Sequence, residues 1–299
     1  MSGGKKVQVY ILSHERPFYL REAIDSVLKQ SRFDLIDLVV SDNSRTDDVE
    51  HMVRSEYPFI AYVRRIPAVS AADHFKAVLS DVKAPYFMLF HDDDIMLPGM
   101  IGRLYEEISS SELICAVAPN AYLKMRGFVG RCCVRPRSNL WIYSPRDLFL
   151  RYCLLQGVAP FPGYLYRTSV YQSNLGPLSS PAGKYSDVTF VASGLEKGNV
   201  LWLSEPLMFY RRHPTNDSAL LDPNAREGLI SIFYADSVPL IARLIYKAND
   251  EFFSLMKGRG RVYGIDWYFI RLLSIPLFVI PLTILRKIRS CVSLSRKSY

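Results

Sequence analysis

The sequence has little cysteine, and its cysteines follow no recognisable pattern. The five cysteines in the 299 residues are Cys115, Cys132, Cys133, Cys153 and Cys291. Their number is odd, and they show neither CxxC spacing nor nearby histidine pairs. Neither a disulfide framework nor a zinc site is therefore indicated.

The sequence also lacks the features of a signal peptide near its first residues. The apolar run VQVYIL is too short for a signal-peptide core, and the polar SHERP follows it with no small-residue cleavage site,. We therefore expect the protein to face the cytosol. The net charge is +8, but no basic-aromatic pattern runs through the body of the chain, so we expect no nucleic-acid partner,.

Apolar runs alternate with polar loops and helical patterns through the first part of the chain. Strands are predicted over 7–12, 35–40, 60–63 and 86–90,. Apolar residues at helical spacing follow the first strand, and DHFKAVLSDV predicts a helix before the fourth,. This order predicts an α/β fold, with helices on both faces of a parallel sheet.

Three adjacent carboxylates, Asp92, Asp93 and Asp94, follow the fourth predicted strand. Short acidic runs are usually solvated loops. Here the run lies at the carboxyl end of a buried strand, where open α/β sheets bind ligands. Adjacent carboxylates repel each other, and Mg2+ or Mn2+ would relieve that repulsion while bridging to substrate phosphates. The position favours a site for a metal ion and phosphate.

Several stretches together resemble the family 2 glycosyltransferases of the GT-A fold, which use nucleotide-sugar donors. They are VYILSHERPFYLREAIDSVLKQS, LVVSDNSRTDD, FMLFHDDD and the later pair KYSDVTFVASGLEKG and YRRHPTNDS. The order and spacing of these stretches make the resemblance specific, and it extends from residue 7 to about residue 213,. It implies a Rossmann-like, mostly parallel central sheet flanked by helices.

The resemblance assigns residues to a donor site. It implies that the first loop, which follows the strand predicted over 7–12, lines the nucleoside pocket. It also implies that Asp42 hydrogen-bonds the base. The residues expected to contact the nucleotide sugar are Ser13, His14, Glu15, Asp42, Asn43, Asp92 and Asp93.

The resemblance also implies a metal site and a catalytic base. Asp94 is expected to ligate Mn2+ or Mg2+ most directly, with Asp92 and His213 as further ligands. Asp187 falls where the family places its base, although Ser186 replaces the first acid of the usual pair. The first loop departs from the family as well, because it has glutamate where asparagine is common. The segment 68–75 lacks a frequent glycine, and the QxxRW element of processive members is absent, so we expect one sugar per transfer event.

Each of these assignments has a simpler alternative. Asp42 and Asp187 would suit helix N-termini without any catalytic role. A histidine in a polar loop, as at His213, is commonly a surface residue. Tyr164 and Tyr166 would either shape an acceptor pocket or pack in the core.

The chemistry implied by the set is a direct displacement. A divalent ion would neutralise the leaving diphosphate, and one carboxylate would deprotonate the acceptor hydroxyl. Because the sequence offers a single plausible base, Asp187, we predict inversion at the anomeric carbon. Arg211 and Arg212 would either stabilise the diphosphate or form a solvated basic turn.

The last part of the chain has a different composition. We predict a catalytic domain over 1–218, with a nucleotide-binding half to about residue 100 and an acceptor half from 101, followed by a helical region over 219–299. Within that region, 267–285 is the most apolar segment, and a basic tail follows it. Its length is short for a membrane span, and it contains Arg271 and two prolines,. We predict a membrane-surface or re-entrant anchor, with a single span or a packed helix as alternatives.

These features together predict transfer of a single sugar to a lipid-linked or oligosaccharide acceptor in surface polysaccharide (O-antigen or capsule) synthesis. The reaction would take place at the cytoplasmic face of the membrane, on its inner leaflet. Two alternatives stay open: a metal-dependent phosphate-ester hydrolase or nucleotidyltransferase, and an inactive glycosyltransferase-like scaffold subunit. The sugar, the nucleotide and the linkage do not follow from the sequence.

Overall fold

The structure is a computed structural model. It describes residues 5–125, 128–131, 138–154, 158–172, 182–213, 223–235, 238–243 and 246. The chain forms two compact units, which are Met1–Tyr152 with Gln156–Pro239 and Cys153–Leu155 with Leu240–Tyr299. The predicted division of function at residue 218 stays a prediction. Every candidate site residue lies in the first unit.

The apolar runs of the first hundred residues form neighbouring strands. These strands are β1 (Val7–Ser13), β2 (Ile36–Asp42), β3 (Ala61–Arg64) and β4 (Tyr86–His91). They pair in parallel in the order β3-β2-β1-β4. All of β1 is buried, as expected for a strand covered on both faces,. The four predicted strands are confirmed, each to within two residues at either end.

Helices connect these strands, as the alternating pattern predicts, and one more helix follows the fourth strand. They are α1 (Pro17–Leu28), α2 (Asp48–Glu56), α3 (Ala71–Asp81) and α4 (Met100–Ser110). α1 begins at a proline, whose fixed φ suits the first helical turn. The side chain of Ser70 caps α3, because its Oγ accepts a hydrogen bond from the Asp73 backbone at 3.1 Å,. The predicted third helix is confirmed.

The second half of the sheet is mixed. Its strands are β5 (Ile95–Met96), β6 (Ile114–Met125), β7 (Phe128–Arg131), β8 (Leu140–Ile142), β9 (Leu165–Arg167) and β10 (Asn199–Arg211). The main path of the sheet is β3-β2-β1-β4-β9-β6-β10-β5, with β7 on β6 and β8 on β10. β9 runs antiparallel to both β4 and β6. The strands from β3 to β4 and the pair β6–β10 are parallel, as expected of a mostly parallel sheet, whereas the short strand β9 runs in the opposite direction between β4 and β6.

The remaining helices cover the second half of the first unit. They are α5 (Pro145–Cys153), α6 (Thr168–Tyr171), α7 (Ser186–Gly194) and α8 (Pro223–Ala235). Buried aromatic rings pack beneath α7. Tyr164 and Tyr166 stack with their ring centroids 5.6 Å apart, and Tyr166 also contacts Phe190 at 5.3 Å. Both tyrosines pack in the core, and their alternative role in an acceptor pocket stays a prediction.

No helix in the described ranges is both long and apolar enough to cross a membrane. Segment 267–285 and the basic tail lie outside the residues that the structure describes. The anchor therefore stays a prediction.

Candidate active site

The three carboxylates at the end of β4 are buried in the interior of the first unit. Asp92, Asp93 and Asp94 are 0%, 5% and 1% exposed. β4 lies between β1 and β9, so its carboxyl end opens near the middle of the sheet. The sequence prediction that these acids lie at a buried strand end is confirmed.

Burial and mutual repulsion change the acidity of the cluster. Burial raises the pKa of Asp92 to about 7, although the charge of Arg16 acts in the opposite direction. Burial and the charge of Asp93 hold the pKa of Asp94 well above its usual value. Burial would also raise the pKa of Asp93, but the charge of His91 and contacts with Arg16 and His213 hold it below its usual value. Three neighbouring carboxylates in this environment require positive charge to ionise together.

Two side chains far apart in sequence contact these acids, and one of them, Arg16, carries a permanent positive charge,. Arg16 Nη2 lies 3.0 Å from Asp92 Oδ1, and Arg16 Nη1 donates to Asp93 Oδ2 at 2.9 Å. His213 Nε2 donates to the same Asp93 oxygen at 2.9 Å. The structure therefore places the predicted site residue His213 in the acidic cluster. The role of Arg16 was not predictable, because a single arginine in a loop forms no pattern.

The cluster also contains a set of side chains that suits a divalent ion. One ligand atom each of His91, Asp93 and Asp94 lies within 4.8 Å of the others. Asp94 Oδ1 accepts a hydrogen bond from the Arg211 backbone at 2.8 Å. Its Oδ2 is buried and has no hydrogen-bond partner in the described part of the chain. A buried carboxylate oxygen without a donor fits a hard cation such as Mg2+ or Mn2+. Ligation by Asp92 and His213 stays a prediction.

The first loop is joined directly to this cluster. The backbone N–H of His14 donates to Asp92 Oδ2 at 3.0 Å. Its ring Nδ1 donates to the carbonyl oxygen of Asn43 at 2.9 Å, which connects the loops after β1 and β2. Ser13 is buried beside Asp92 at the end of β1. The structure thus brings together three parts of the chain: the first loop after β1, the second loop after β2, and the acidic cluster after β4.

Glu15 connects the same two loops through its carboxylate. Its oxygens accept hydrogen bonds from the Arg45 backbone and from the Thr46 hydroxyl, the latter at 2.7 Å. Its own N–H donates to Ser44 Oγ at 2.8 Å. Glu15 has a φ of 57°, in the left-handed region where asparagine and glycine are commoner than glutamate,. These contacts make Glu15 a positioning residue, and its predicted contact with a nucleoside stays a prediction.

Asp42 and Asn43 also use their side chains within the protein. Asp42 is fully buried and accepts hydrogen bonds from the Ser44 backbone at 2.8 Å and the Tyr62 hydroxyl at 2.6 Å. The amide group of Asn43 exchanges two hydrogen bonds of 2.9 Å with the backbone of Val69. Asp42 therefore precedes the start of α2 without capping it. The predicted contact of Asp42 with a base stays a prediction, and Tyr62 is a neighbour that the sequence did not reveal.

Asp187 lies in the first turn of α7 and borders a small apolar pocket. Burial raises the pKa of Asp187 to about 6. A base with this pKa is ionised at neutral pH and is more basic than an exposed aspartate. The predicted helix N-terminal position is confirmed, and it is compatible with the predicted catalytic role. The other pocket-lining residues are Leu148, Val158, Ala159, Phe161, Tyr164, Val188 and Val191.

Phe161 connects this pocket with the end of β4. Its ring lines the pocket beside Asp187, and its centroid lies 6.0 Å from that of His91. The candidate base and the candidate metal ligands therefore share a neighbour, although they are about ninety residues apart in sequence. This contact was not predictable, because the FPG stretch contains too few residues to form a periodic pattern.

The side chain of Arg211 contacts residues of α1. It is buried, donates to Glu22 Oε2 at 2.5 Å and lies over the ring of Tyr19 at 4.5 Å. The guanidinium group of Arg211 is thus held by α1, and its suggested contact with a diphosphate stays a prediction. Arg212 is exposed, as a solvated turn requires.

The sequence model of the family described as Glycosyl transferase family 2 matches residues 8–153. This range contains the first loop, the second loop and the acidic cluster. Asp187 and His213 lie beyond it.

Two curated relatives show the same kind of partial match. Abequosyltransferase RfbV from Salmonella typhimurium (strain LT2) is 27% identical over 165 residues, which cover 49% of this chain and 47% of that protein. Protein CgeD from Bacillus subtilis (strain 168) is 29% identical over 115 residues, covering 36% of this chain and 27% of that protein. The chain therefore matches less than half the length of each.

The fold resembles a solved structure over a larger part of the chain. The S. aureus protein TarS 1-349, in a crystal structure of its complex with UDP-GlcNAc, matches with a TM-score of 0.60 and 12% identity. The match covers 81% of this chain and 70% of that one. At this identity the likeness concerns the fold alone, and it confirms the predicted GT-A fold.

Proposed function

From the match of the glycosyl transferase family 2 model to residues 8–153, we propose that the chain belongs to this family and transfers a single sugar from a nucleotide-sugar donor to a hydroxyl group of a glycan acceptor. The observation that carries this proposal is the buried acidic cluster at the carboxyl end of β4, joined to the first loop by the His14–Asp92 hydrogen bond. Ligands of open α/β sheets bind at this edge.

The donor binds where the first two loops meet the cluster. Asp94, Asp93 and His91 would hold a divalent ion, since their ligand atoms are close together and Asp94 Oδ2 is unpaired among the described residues. When bound, Mn2+ or Mg2+ neutralises the charge that develops on the leaving diphosphate. Asp92 fixes the first loop through its contact with His14, and thereby positions the wall of the nucleoside pocket.

Asp187 acts on the acceptor. Its carboxylate removes the proton from the acceptor hydroxyl as that oxygen attacks the anomeric carbon. The apolar side chains around it limit access of water, which would otherwise compete with the acceptor,. A single base on the acceptor side leads to inversion. A product that kept the anomeric configuration of the donor would contradict this mechanism.

The acceptor we propose is a lipid-linked oligosaccharide of surface polysaccharide (O-antigen or capsule) synthesis, reached at the cytoplasmic face of the membrane. Two observations support this choice. The segment 267–285 is the most apolar of the chain and precedes a basic tail,. One relative is named as a transferase of abequose, a sugar.

The experiment that tests the donor site is a thermal-shift screen against nucleoside diphosphates, with and without Mn2+. A ligand present at one hundred times its dissociation constant adds about 2.7 kcal/mol of apparent stability. We expect one diphosphate to stabilise the protein, only with metal, and to lose this effect in Asp94→Ala. Absence of a shift with every nucleotide would contradict the proposed donor site and favour the inactive subunit.

A turnover assay then separates the two enzyme classes. With the stabilising nucleotide sugar and a glycan acceptor, the transferase releases nucleoside diphosphate and depends on Asp187. A phosphate-ester hydrolase or nucleotidyltransferase would release phosphate or pyrophosphate and would not require Asp187. Binding without turnover in the presence of the acceptor would point to a scaffold subunit.

A further inference from the structure

Arg16 occupies an unusual position in the acidic cluster. It precedes α1, and its guanidinium group lies against both Asp92 and Asp93, at 3.0 Å and 2.9 Å. The backbone just before it is fixed, because Glu15 adopts a φ of 57° and hydrogen-bonds the second loop through both its N–H and its carboxylate. The geometry of the loop thus delivers a permanent cation to two buried acids.

Arg16 and the two carboxylates that it contacts differ in their exposure to solvent. The side chains of Asp92 and Asp93 are 0% and 6% exposed, whereas that of Arg16 is 29% exposed. The carboxylates are buried and follow a central strand, which holds their backbone in place. The long arginine side chain has several rotatable bonds and already contacts water, so it can leave the pair by changing rotamer.

Asp93 belongs to two sets of contacts. It receives the hydrogen bond from Arg16, and it also belongs with His91 and Asp94 to the group that suits a divalent ion. A divalent ion on this group would lie close to the guanidinium group, and like charges at such distances repel strongly in a buried site. His213 Nε2 donates to the same Asp93 oxygen at 2.9 Å, but only the guanidinium group of Arg16 reaches both Asp92 and Asp93 among the described contacts.

We propose that Arg16 is a built-in counterion of the acidic cluster, which a divalent ion must displace from Asp93 when it binds. Arg16 therefore weakens binding of the metal ion to the nucleotide-free protein. A second consequence rests on the proposed function. The released guanidinium group pairs with the diphosphate group of the incoming donor. Metal and nucleotide then bind cooperatively, since each favours the released position of Arg16.

The test measures Mn2+ binding to the full chain without nucleotide, from the electron paramagnetic resonance signal of free Mn2+. Arg16→Gln removes the charge, and we expect it to bind Mn2+ about tenfold more tightly than the wild type because no cation needs to be displaced. Arg16→Lys keeps the charge and should stay within about threefold of the wild type. Arg212→Gln is the matched control, because it removes an exposed arginine next to His213 and should change the affinity by less than about twofold,.

Equal or weaker Mn2+ binding by Arg16→Gln would overturn the proposal and make Arg16 a structural residue. Failure of every variant and of the wild type to bind Mn2+ would overturn it as well. These measurements need no nucleotide, so they are independent of the donor screen. A wild type that binds Mn2+ but no nucleotide sugar would contradict the proposed function and leave the displacement of Arg16 standing.

A second measurement uses the wild type alone, in case Arg16→Gln does not fold. The side-chain 15N signals of a paired guanidinium group are resolved, whereas those of a free group average by rotation. Saturating Mg2+ should convert the Arg16 signals, assigned from Arg16→Lys, from resolved to averaged. Signals that stay resolved at saturating Mg2+ would show that the pair survives metal binding, and would refute the proposal.

Discussion

Asp187 combines a helix N-terminus with apolar surroundings, and these have opposite effects on a carboxylate. The N–H groups of the first turn favour the charged form. Burial favours the neutral form and has the larger effect, since the pKa of Asp187 is raised to about 6. The result is a carboxylate that accepts a proton more readily than an exposed one and is still ionised at neutral pH.

Replacing this residue should abolish most of the turnover. We expect Asp187→Asn to lower kcat about 100- to 10,000-fold with little effect on donor binding, because only proton removal from the acceptor is lost. In the wild type, the carboxylate form is active, so kcat/KM should fall as pH decreases through about 6. Asp147→Asn, which changes an aspartate in the first turn of α5, is the control and should keep normal rates. An unchanged kcat in Asp187→Asn would exclude the base role.

The same variant should alter the dependence of stability on pH. The folded-state pKa of Asp187 is about 6, above the ordinary 3.8. The carboxyl group therefore favours the folded state most below about pH 4, and this contribution is lost as pH rises through 6,. Asparagine does not ionise. The Tm of Asp187→Asn minus that of the wild type should thus increase between pH 4 and pH 7. A constant difference would mean that the carboxylate is solvated in the folded protein.

At the residue scale, prediction from sequence succeeded where the type of a residue and its position in the chain both indicated a site. Asp92, Asp93 and Asp94 form a visible run at a strand end, and the structure buries them there. Arg16 and Phe161 carry no such signal. Their roles depend on which side chains lie opposite them, and those partners are separated from them by long stretches of sequence.

α1 has an apolar side and a polar side. Polar side chains in and just after this helix hydrogen-bond the segment that follows the acidic cluster. Gln30, which follows the helix, donates to the Leu97 carbonyl at 2.7 Å and accepts from the Ile101 backbone at 3.0 Å. Ser26 Oγ accepts from the Met96 backbone at 3.0 Å. These contacts hold the chain in place immediately after the carboxylates, and so help to position the acidic cluster.

Loss of Gln30 should therefore destabilise the protein and loosen the cluster. Gln30→Ala leaves the Ile101 N–H without this partner in a buried place, which costs about 1–3 kcal/mol for such a group,. Urea denaturation should show this loss, and Mn2+ affinity should fall with it. Ser31→Ala is a suitable control, because its exposed hydroxyl bonds the neighbouring Pro98 carbonyl and its loss should change stability by less than about 0.5 kcal/mol,. Equal stability of the two variants would contradict this function of Gln30.

At the element scale, continuous apolar runs made β1 to β4 predictable, because such runs are long enough to distinguish a buried strand from a loop. β9 contains three residues and pairs with β4 and β6, which lie far away in sequence. Short antiparallel strands of this kind leave almost no periodic signal. The region between about 120 and 165 was accordingly the least predictable part of the chain.

For the molecule as a whole, membrane attachment is the main untested prediction. We expect the full chain to sediment with vesicles that contain anionic lipid, and to be released by salt, because the basic tail binds anionic headgroups. Replacing Arg286, Lys287 and Arg289 by glutamine should weaken this binding. A chain ending before Trp267 should lose it altogether. Vesicle binding that survives this truncation would place the membrane contact elsewhere.

The position of β10 has a consequence for synthesis of the protein. β5 begins one residue after the acidic cluster and pairs with β10, and the backbone of Arg211 reaches Asp94 from the end of that strand. A ribosome has made the cluster more than a hundred residues before it makes Arg211. β1 to β4 can therefore assemble during translation, whereas the cluster is closed from its far side only after residue 211 has emerged. A nascent chain stalled before β10 should consequently expose its aspartates to water.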